Sequence, residues 1–109
     1  MNIDWNILKL ECKTFENGLT NIVQRIQWNY KVTETVNGQE YSSEINGSLD
    51  LPSPSQESFI PVESLTKEQV VNWIELKMGS EYLTELTNYL LTQINEQVSP
   101  TVVYLDPPF

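Results

Sequence analysis

Hydrophobic and polar residues alternate along residues 22–51, and this alternation predicts two paired β-strands. Within residues 22–32 every second position is mostly apolar, and most intervening positions carry polar or charged side chains. Residues 41–51 repeat the pattern, with apolar or small side chains on the odd positions. Asn37 and Gly38, between the two runs, can adopt the two positive φ values of a type I′ turn. We therefore expect an antiparallel hairpin with one apolar and one polar face.

A two-residue turn at Asn37 and Gly38 fixes which residues of this hairpin face each other. On the inner face Trp28 falls opposite Gly47, and the missing side chain of the glycine leaves room for the indole ring. The same register pairs Tyr30 with Ile45 and Ile26 with Leu49 on the inner face, and Arg25 with Asp50 and Lys31 with Glu44 on the outer face. Apolar residues thus meet apolar residues and cations meet anions, which supports the register.

Residues 3–15 also have strand composition, but their alternation changes parity near Ile7 and Leu8. A β-bulge at that point would bring the apolar residues on both sides of it onto one face. We expect this strand to pair with residues 22–36, which then form the central strand of a three-stranded antiparallel meander.

The turn between the first two strands contains Asn17 and Gly18. A two-residue turn here would place Leu10 opposite Arg25, so that the two faces would be out of phase. We therefore favour a three-residue loop with Gly18 in the left-handed conformation. This loop predicts the inner-face pairs Leu8 with Ile26 and Cys12 with Ile22.

Residues 52–63 contain three prolines and three serines and predict an irregular connector. Within this connector the apolar triplet Phe59-Ile60-Pro61 either packs against the core, which we favour, or is offered to a partner. The connector carries the chain from the edge of the sheet to the C-terminal half.

Two amphipathic helices are predicted after the connector. Thr66 and Gln69 match a capping box at the start of the first helix, and Gly79 offers a left-handed stop at its end. Ser80 can cap the second helix, which ends before Pro100. The apolar stripes are Val70, Trp73, Ile74 and Met78 in the first helix, and Tyr82, Leu83, Leu86, Leu90 and Ile94 in the second, widened by Tyr89 and Leu91.

The predicted fold class is α+β. A three-stranded antiparallel meander packs on two C-terminal helices in the order β-β-β-α-α, with an extended C-terminal tail. Residues 1–99 form a single domain, and residues 100–109 form a Pro-rich extended segment. The predicted core consists of Leu8, Leu10, Ile26, Trp28, Tyr30, Ile45, Leu49, Val70, Trp73, Ile74, Leu83, Leu86 and Leu90.

The C-terminal segment is the candidate partner-binding site. Its apolar residues favour extended backbone, and two consecutive prolines favour polyproline geometry. The candidate residues are Val102, Val103, Tyr104, Leu105, Pro107, Pro108 and Phe109. Such a segment docks either on its own domain or on a neighbouring chain, and the sequence leaves both alternatives open.

The charge balance narrows the class of partners. Six Lys and Arg residues against fifteen Asp and Glu residues give a net charge of −9, which repels phosphate backbones and anionic membranes. We expect neither nucleic acid nor membrane as a partner. The N-terminal residues have no basic region before an apolar run, and no long apolar stretch follows, so we expect neither a signal peptide nor a membrane-spanning helix.

The residue types present offer little catalytic chemistry. The sequence has no histidine, which removes imidazole-based nucleophile activation and imidazole metal ligation. Glu81 and Glu85 share one helix face, but exposed acidic faces are usually solvated surface. We interpret Cys12 as a buried reduced thiol, and Trp5 as the one tryptophan that an exposed carbohydrate platform could use. We expect no cofactor, no metal site and no enzymatic activity.

Several motifs extend over nearly the whole chain. They are Trp5-x-Ile7-x-x-Leu10-x-Cys12, Leu19-Thr20-Asn21-Ile22-Val23 with Trp28-x-Tyr30, Gly47-x-Leu49, Phe59-Ile60-Pro61 and Leu65-Thr66-x-Glu68-Gln69-Val70-x-x-Trp73. Together with the Pro-rich aromatic C-terminus, they resemble a family of small proteins encoded by tailed bacteriophages, including phages of cyanobacteria. Members of that family often have Tyr and a final Trp where this chain has Val62 and Phe109. The resemblance implies a viral origin and transfers no catalytic residue.

A compact acidic phage protein of this kind is expected to be a virion accessory protein. It would be a capsid decoration or cement protein, or a neck or tail component, made in the host bacterial cytoplasm and bound to other virion proteins. A homo-oligomer fits this role. The alternative is an acidic phage-encoded inhibitor that imitates DNA and occupies a host DNA-binding or defence protein. A third interpretation is an enzyme that uses carboxylates alone.

Overall fold

The computed structural model describes residues 1–52 and 59–109 and confirms the predicted α+β meander with two C-terminal helices. The elements are β1 (Asn2–Glu16), β2 (Leu19–Val36), β3 (Gln39–Asp50), a short 3₁₀ helix (Val62–Ser64), α1 (Lys67–Met78) and α2 (Ser80–Val98). The three strands form one antiparallel sheet in the order β1-β2-β3. The predicted connector spans residues 52–63, of which residues 53–58 lie outside the described ranges.

The second hairpin has the register that the sequence predicts. Asn37 and Gly38 both have positive φ, 53° and 78°, as a tight turn between twisted strands requires. Trp28 lies opposite Gly47, and a Cβ atom added to this glycine would overlap Cζ2 of the indole and lie 2.7 Å from Cε2. The other pairs are also confirmed: Tyr30 with Ile45, Ile26 with Leu49, Arg25 with Asp50 and Lys31 with Glu44.

The predicted three-residue loop of the first hairpin is wrong. Asn17 and Gly18 form a two-residue turn with φ values of 50° and 80°, and Glu16 pairs with Leu19. Cys12 therefore lies opposite Val23 instead of Ile22.

Two irregularities in the β1–β2 pairing explain why the tight turn is tolerated. The register shifts between Ile7 and Lys9, which confirms the predicted bulge and leaves Leu8 without a partner across the sheet. A second shift between Glu11 and Cys12 skips Gln24 on the opposite strand, so that Leu10 meets Ile26. This second bulge, which the sequence analysis did not predict, removes the mismatch that argued against a two-residue turn.

The core lies between the inner face of the sheet and the two helices. Its buried hydrophobic residues include Ile22, Val23, Ile26, Trp28, Tyr30, Val32, Val70, Ile74, Leu86, Leu90 and Ile94. Leu8, which the sequence analysis placed in the core and opposite Ile26, is 50% exposed, because the bulged residue has no place in the alternation. Tyr82 and Tyr89 are also exposed, so the apolar stripe of α2 is narrower than predicted.

The predicted capping box of α1 is confirmed. The amide of Gln69 donates to Oγ1 of Thr66 at 3.2 Å, and the amide of Thr66 donates to Oε1 of Gln69 at 3.0 Å. Gly79, with φ of 83°, ends α1 and also occupies the N-cap position of α2. The prediction that Ser80 caps α2 is wrong, because a connection of one residue makes Ser80 the first residue of the helix.

Specific hydrogen bonds fix α2 on the sheet. The hydroxyl groups of Tyr30 and Thr87 are 2.8 Å apart, and Nε2 of Gln97 donates to the carbonyl oxygen of Ser42 at 2.8 Å. Helix α2 contacts β2 and β3, whereas α1 contacts β1. The end of α2 is therefore tied to the β3 side of the sheet.

Candidate functional site

The predicted partner-binding residues lie outside the core of their own domain. Tyr104 and Phe109 are 98% and 102% exposed, and Leu105 is 83% exposed. The other candidate residues, Val102, Val103, Pro107 and Pro108, are exposed as well. Residues 102–109, which we call the C-terminal arm, contain neither helix nor strand.

The start of the arm is fixed by a side chain that the sequence analysis did not identify. The Glu96 carboxylate accepts hydrogen bonds from the amide and the hydroxyl of Thr101, each at 2.7 Å. These bonds, together with one from the Val102 amide, hold the pKa of Glu96 below its ordinary value, because they stabilise the charged form. The sequence signal would have been an acid in the last turn of a helix, just before the Ser99-Pro100 stop.

The chemistry of the arm suits an apolar receptor. Val102, Val103, Tyr104 and Leu105 form a continuous apolar run, and Asp106 is the only charged side chain of the arm. In an extended conformation alternate side chains of this run point to opposite sides. Pro107 lacks an amide hydrogen, so main-chain pairing along a strand edge would end at this residue.

The outer face of the sheet is a second exposed surface, and it is polar. Nε of Arg25 donates to Oδ1 of Asp50 at 2.7 Å, and Nη1 lies 3.7 Å from a carboxylate oxygen of Glu11. The hydrogen bond to Asp50 and the charges of the two acids raise the pKa of Arg25 further. Such cross-strand pairs are typical of a solvated sheet face, and their charged groups pair with each other.

The centre of this face carries a row of asparagine amides. Nδ2 of Asn6 donates to Oδ1 of Asn29 at 3.2 Å, and Nδ2 of Asn29 donates to Oδ1 of Asn46 at 2.8 Å. Asn29 is buried between its neighbours. These side-chain amides hydrogen-bond to each other, and the row links all three strands.

Trp5 belongs to an aromatic cluster on the inner face. Its ring lies edge-on to Trp28 with centroids 5.5 Å apart, and 4.6 Å from the centroid of Tyr30. Because Trp5 is half-buried against core residues, the carbohydrate-platform interpretation loses its support. The buried indole N–H of Trp28 has no hydrogen-bond partner among the described residues.

The remaining candidates for chemistry are dispersed. Cys12 is half-buried, and burial raises the pKa of its thiol, which lowers its thiolate content. Glu75, Glu81 and Glu85 are exposed on the helices. Within residues 1–52 and 59–109, no three acidic or cysteine side chains gather into a group that could hold a metal ion. No helix in these ranges has the length and apolar character needed to cross a bilayer.

These features define a two-layer α+β domain with an exposed apolar C-terminal arm. The chain belongs to the family described as Domain of unknown function (DUF7936), which matches residues 1–107. The matched range takes in the complete α+β domain and most of the arm. No curated protein and no solved structure matches the chain.

Proposed function

We propose that the protein is a non-enzymatic accessory component of a bacteriophage virion. It acts as a capsid decoration or cement protein, or as a neck or tail component, and binds neighbouring virion subunits through the C-terminal arm. The observation that carries this proposal is the exposure of Val102, Val103, Tyr104, Leu105 and Phe109 beside a domain whose core is formed without them.

The energetics of the arm support a binding role. Apolar surface removed from water gains roughly 25 cal/mol per Å², and each main-chain hydrogen bond to a neighbour adds about 0.5 to 1.5 kcal/mol. Ordering the arm offsets part of this gain. Because Glu96 already fixes the start of the arm, fewer residues remain to be ordered on binding. In a symmetric particle the same modest contact is repeated many times.

The class of partner follows from charge and from the resemblance described above. A net charge of −9 disfavours nucleic acid and anionic membranes as partners. The motifs shared with small proteins of tailed bacteriophages favour assembly on a viral particle. A protein partner with an apolar groove or an open sheet edge fits the arm best.

Incorporation into purified particles tests the proposal. Phage that encode a chain without residues 102–109 should yield particles depleted of this protein, measured by mass spectrometry after density purification. A matched control replaces Tyr82 and Tyr89 by Ser, because these exposed aromatic residues of α2 lie outside the arm. The control chain should be incorporated normally.

The same measurement separates the proposal from the alternative function. If the full-length chain stays in the supernatant of purified particles, a soluble inhibitor of a host protein becomes the better account. If the truncated chain is incorporated as well as the full-length chain, the arm is not the attachment element.

A further inference from the structure

We propose that the neighbour bound by the C-terminal arm is a second copy of this chain, which receives the arm in a groove between β1 and α1. This inference rests on the proposed function, in which the arm is the attachment element, and identifies its receptor.

The groove is a depression of about 440 Å³ at the open β1 side of the domain, and the polar side chains of Asn6 and Thr66 line it beside the apolar residues. Ile7 and Leu10 of β1 form one wall, and Val70 of α1 and Leu65, which precedes this helix, form the other, with Val62 of the 3₁₀ helix beside them. In the order β1-β2-β3 the outer side of β1 is not paired within the described sheet, so main-chain groups are available next to the groove. The groove thus offers apolar walls and a strand edge together.

Charge complementarity favours the arm as the occupant. Among the described residues Lys67 is the only charged one that lines the groove, and Asp106 is the only charged side chain of the arm. The positive end of the α1 dipole lies at the same place, because Lys67 is the first residue of that helix. On a chain with a net charge of −9, a depression lined by apolar residues and one lysine suits an apolar segment that carries one acid.

The composition of the arm matches the lining of the groove, since each combines apolar residues with a single charged one. The apolar run from Val102 to Leu105 spans about 13 Å when extended, and Asp106 follows it directly. One row of this run can face the apolar walls while Asp106 pairs with Lys67. Main-chain pairing with β1 then ends at Pro107, which has no amide hydrogen.

The position where the arm begins favours a second copy over the same chain. Helix α2 is tied to β3 through Gln97 and Ser42, and Glu96 fixes Thr101 at the end of this helix. The groove lies at the opposite edge of the sheet. Each copy carries one arm and one groove, so two copies can exchange arms in a closed symmetric pair.

A charge-swap experiment tests this inference on the full-length chain. Lys67→Asp and Asp106→Lys each place like charges in the arm and groove of a homodimer, and each should weaken self-association by roughly tenfold in analytical ultracentrifugation. Both positions are exposed, and circular dichroism should show that both variants fold. A Lys77→Asp variant, changed at an exposed position in the last turn of α1, serves as the matched control and should self-associate like the wild-type chain.

Mixing the two variants distinguishes exchange between copies from docking within one chain. In the mixed pair the arm of each copy meets an oppositely charged groove, so the mixture should associate about as tightly as the wild-type chain. If the mixture associates no better than either variant alone, the arm docks within its own chain or binds elsewhere, and the inference is overturned.

The outcome is independent of the test of the proposed function. The wild-type chain could stay monomeric at every concentration, while loss of the arm still abolishes incorporation into particles. In that case the arm would remain the attachment element, and its receptor would be another virion protein. That result would overturn only the inference of a second copy.

Discussion

Trp28 occupies the space that a side chain at residue 47 would fill. A Cβ atom at Gly47 would overlap the six-membered ring of the indole, which is 5% exposed and packed in the core. The sequence predicted this pair, because the alternation and the Asn37-Gly38 turn together determine the register. The contact therefore gives a local test of the register.

Gly47→Ala should lower the free energy of unfolding by about 1 to 3 kcal/mol, because the added methyl group overpacks the site beside Trp28. Chemical denaturation monitored by circular dichroism measures this change. In a Trp28→Phe background the smaller ring relieves the overlap, so the same Gly47 substitution should cost less. Equal costs in the two backgrounds would mean that the ring and residue 47 are not in contact.

Glu96 is the residue that determines how the arm leaves the domain. Its carboxylate accepts hydrogen bonds from Thr101, and these bonds lower its pKa. The stabilisation that these hydrogen bonds provide is fully present at pH values above the ordinary pKa of a glutamate. It is lost as the pH falls through the lowered pKa of Glu96.

Thr101→Val should raise the pKa of Glu96 toward its ordinary value, because the substitution removes the hydroxyl donor and keeps the amide donor. An NMR titration of the Glu96 side-chain carboxyl carbon measures this shift. Thr101→Ser, which retains the hydroxyl group, should leave the pKa low. A Glu96 pKa that is the same in the wild-type and Thr101→Val chains would contradict the hydrogen bond between the Thr101 hydroxyl and Glu96.

At the scale of elements, the β1–β2 pairing depends on two bulges. Leu8 is the extra residue of the first bulge, and Ile7 and Lys9 pair with consecutive residues of β2 on either side of it. Removing Leu8 would thus leave every other pair of the sheet in place. Asn46, in contrast, lies in the continuous register of β3.

Deletion of Leu8 should therefore yield a folded domain that loses at most about 2 kcal/mol of stability, since the residue is half exposed and unpaired. Deletion of Asn46 should unfold the domain or cost far more, because a one-residue slip reverses the faces of part of β3. Thermal denaturation of the two variants makes the comparison. A Leu8 deletion as damaging as the Asn46 deletion would show that the bulge is not where the pairing places it.

The two hairpins show how far sequence reasoning reaches at this scale. In the second hairpin, turn chemistry and alternation agree, so the register could be predicted pair by pair. In the first hairpin the Asn17-Gly18 turn favours two residues, whereas the alternation argues against a two-residue turn. The alternation reveals a bulge only where apolar residues change parity, as at Ile7 and Leu8. The bulge at Gln24 follows two adjacent apolar residues, Ile22 and Val23, so the alternation does not show where the parity changes. The start of α1 could be predicted because its capping box is local in sequence.

At the scale of the whole molecule, the arm lies outside the core that the domain forms. The arm residues could be nominated from sequence, since apolar residues next to prolines after a helix stop are conspicuous. The groove that we propose as their receptor could not, because Ile7, Leu10, Val62 and Val70 come together only through tertiary packing. The fold and the candidate segment can thus be predicted from the sequence, whereas a binding surface that is assembled from distant residues cannot.

The central claim is that the domain folds without the arm, which is available to a partner. Its most direct test is the free energy of unfolding of the full-length chain and of a chain ending at residue 101, both at concentrations too low for self-association. The two values should agree within about 0.5 kcal/mol, because the arm residues are exposed and none of them belongs to the core cluster. A loss of 2 kcal/mol or more on truncation would show that the arm packs on its own domain, and would contradict the account.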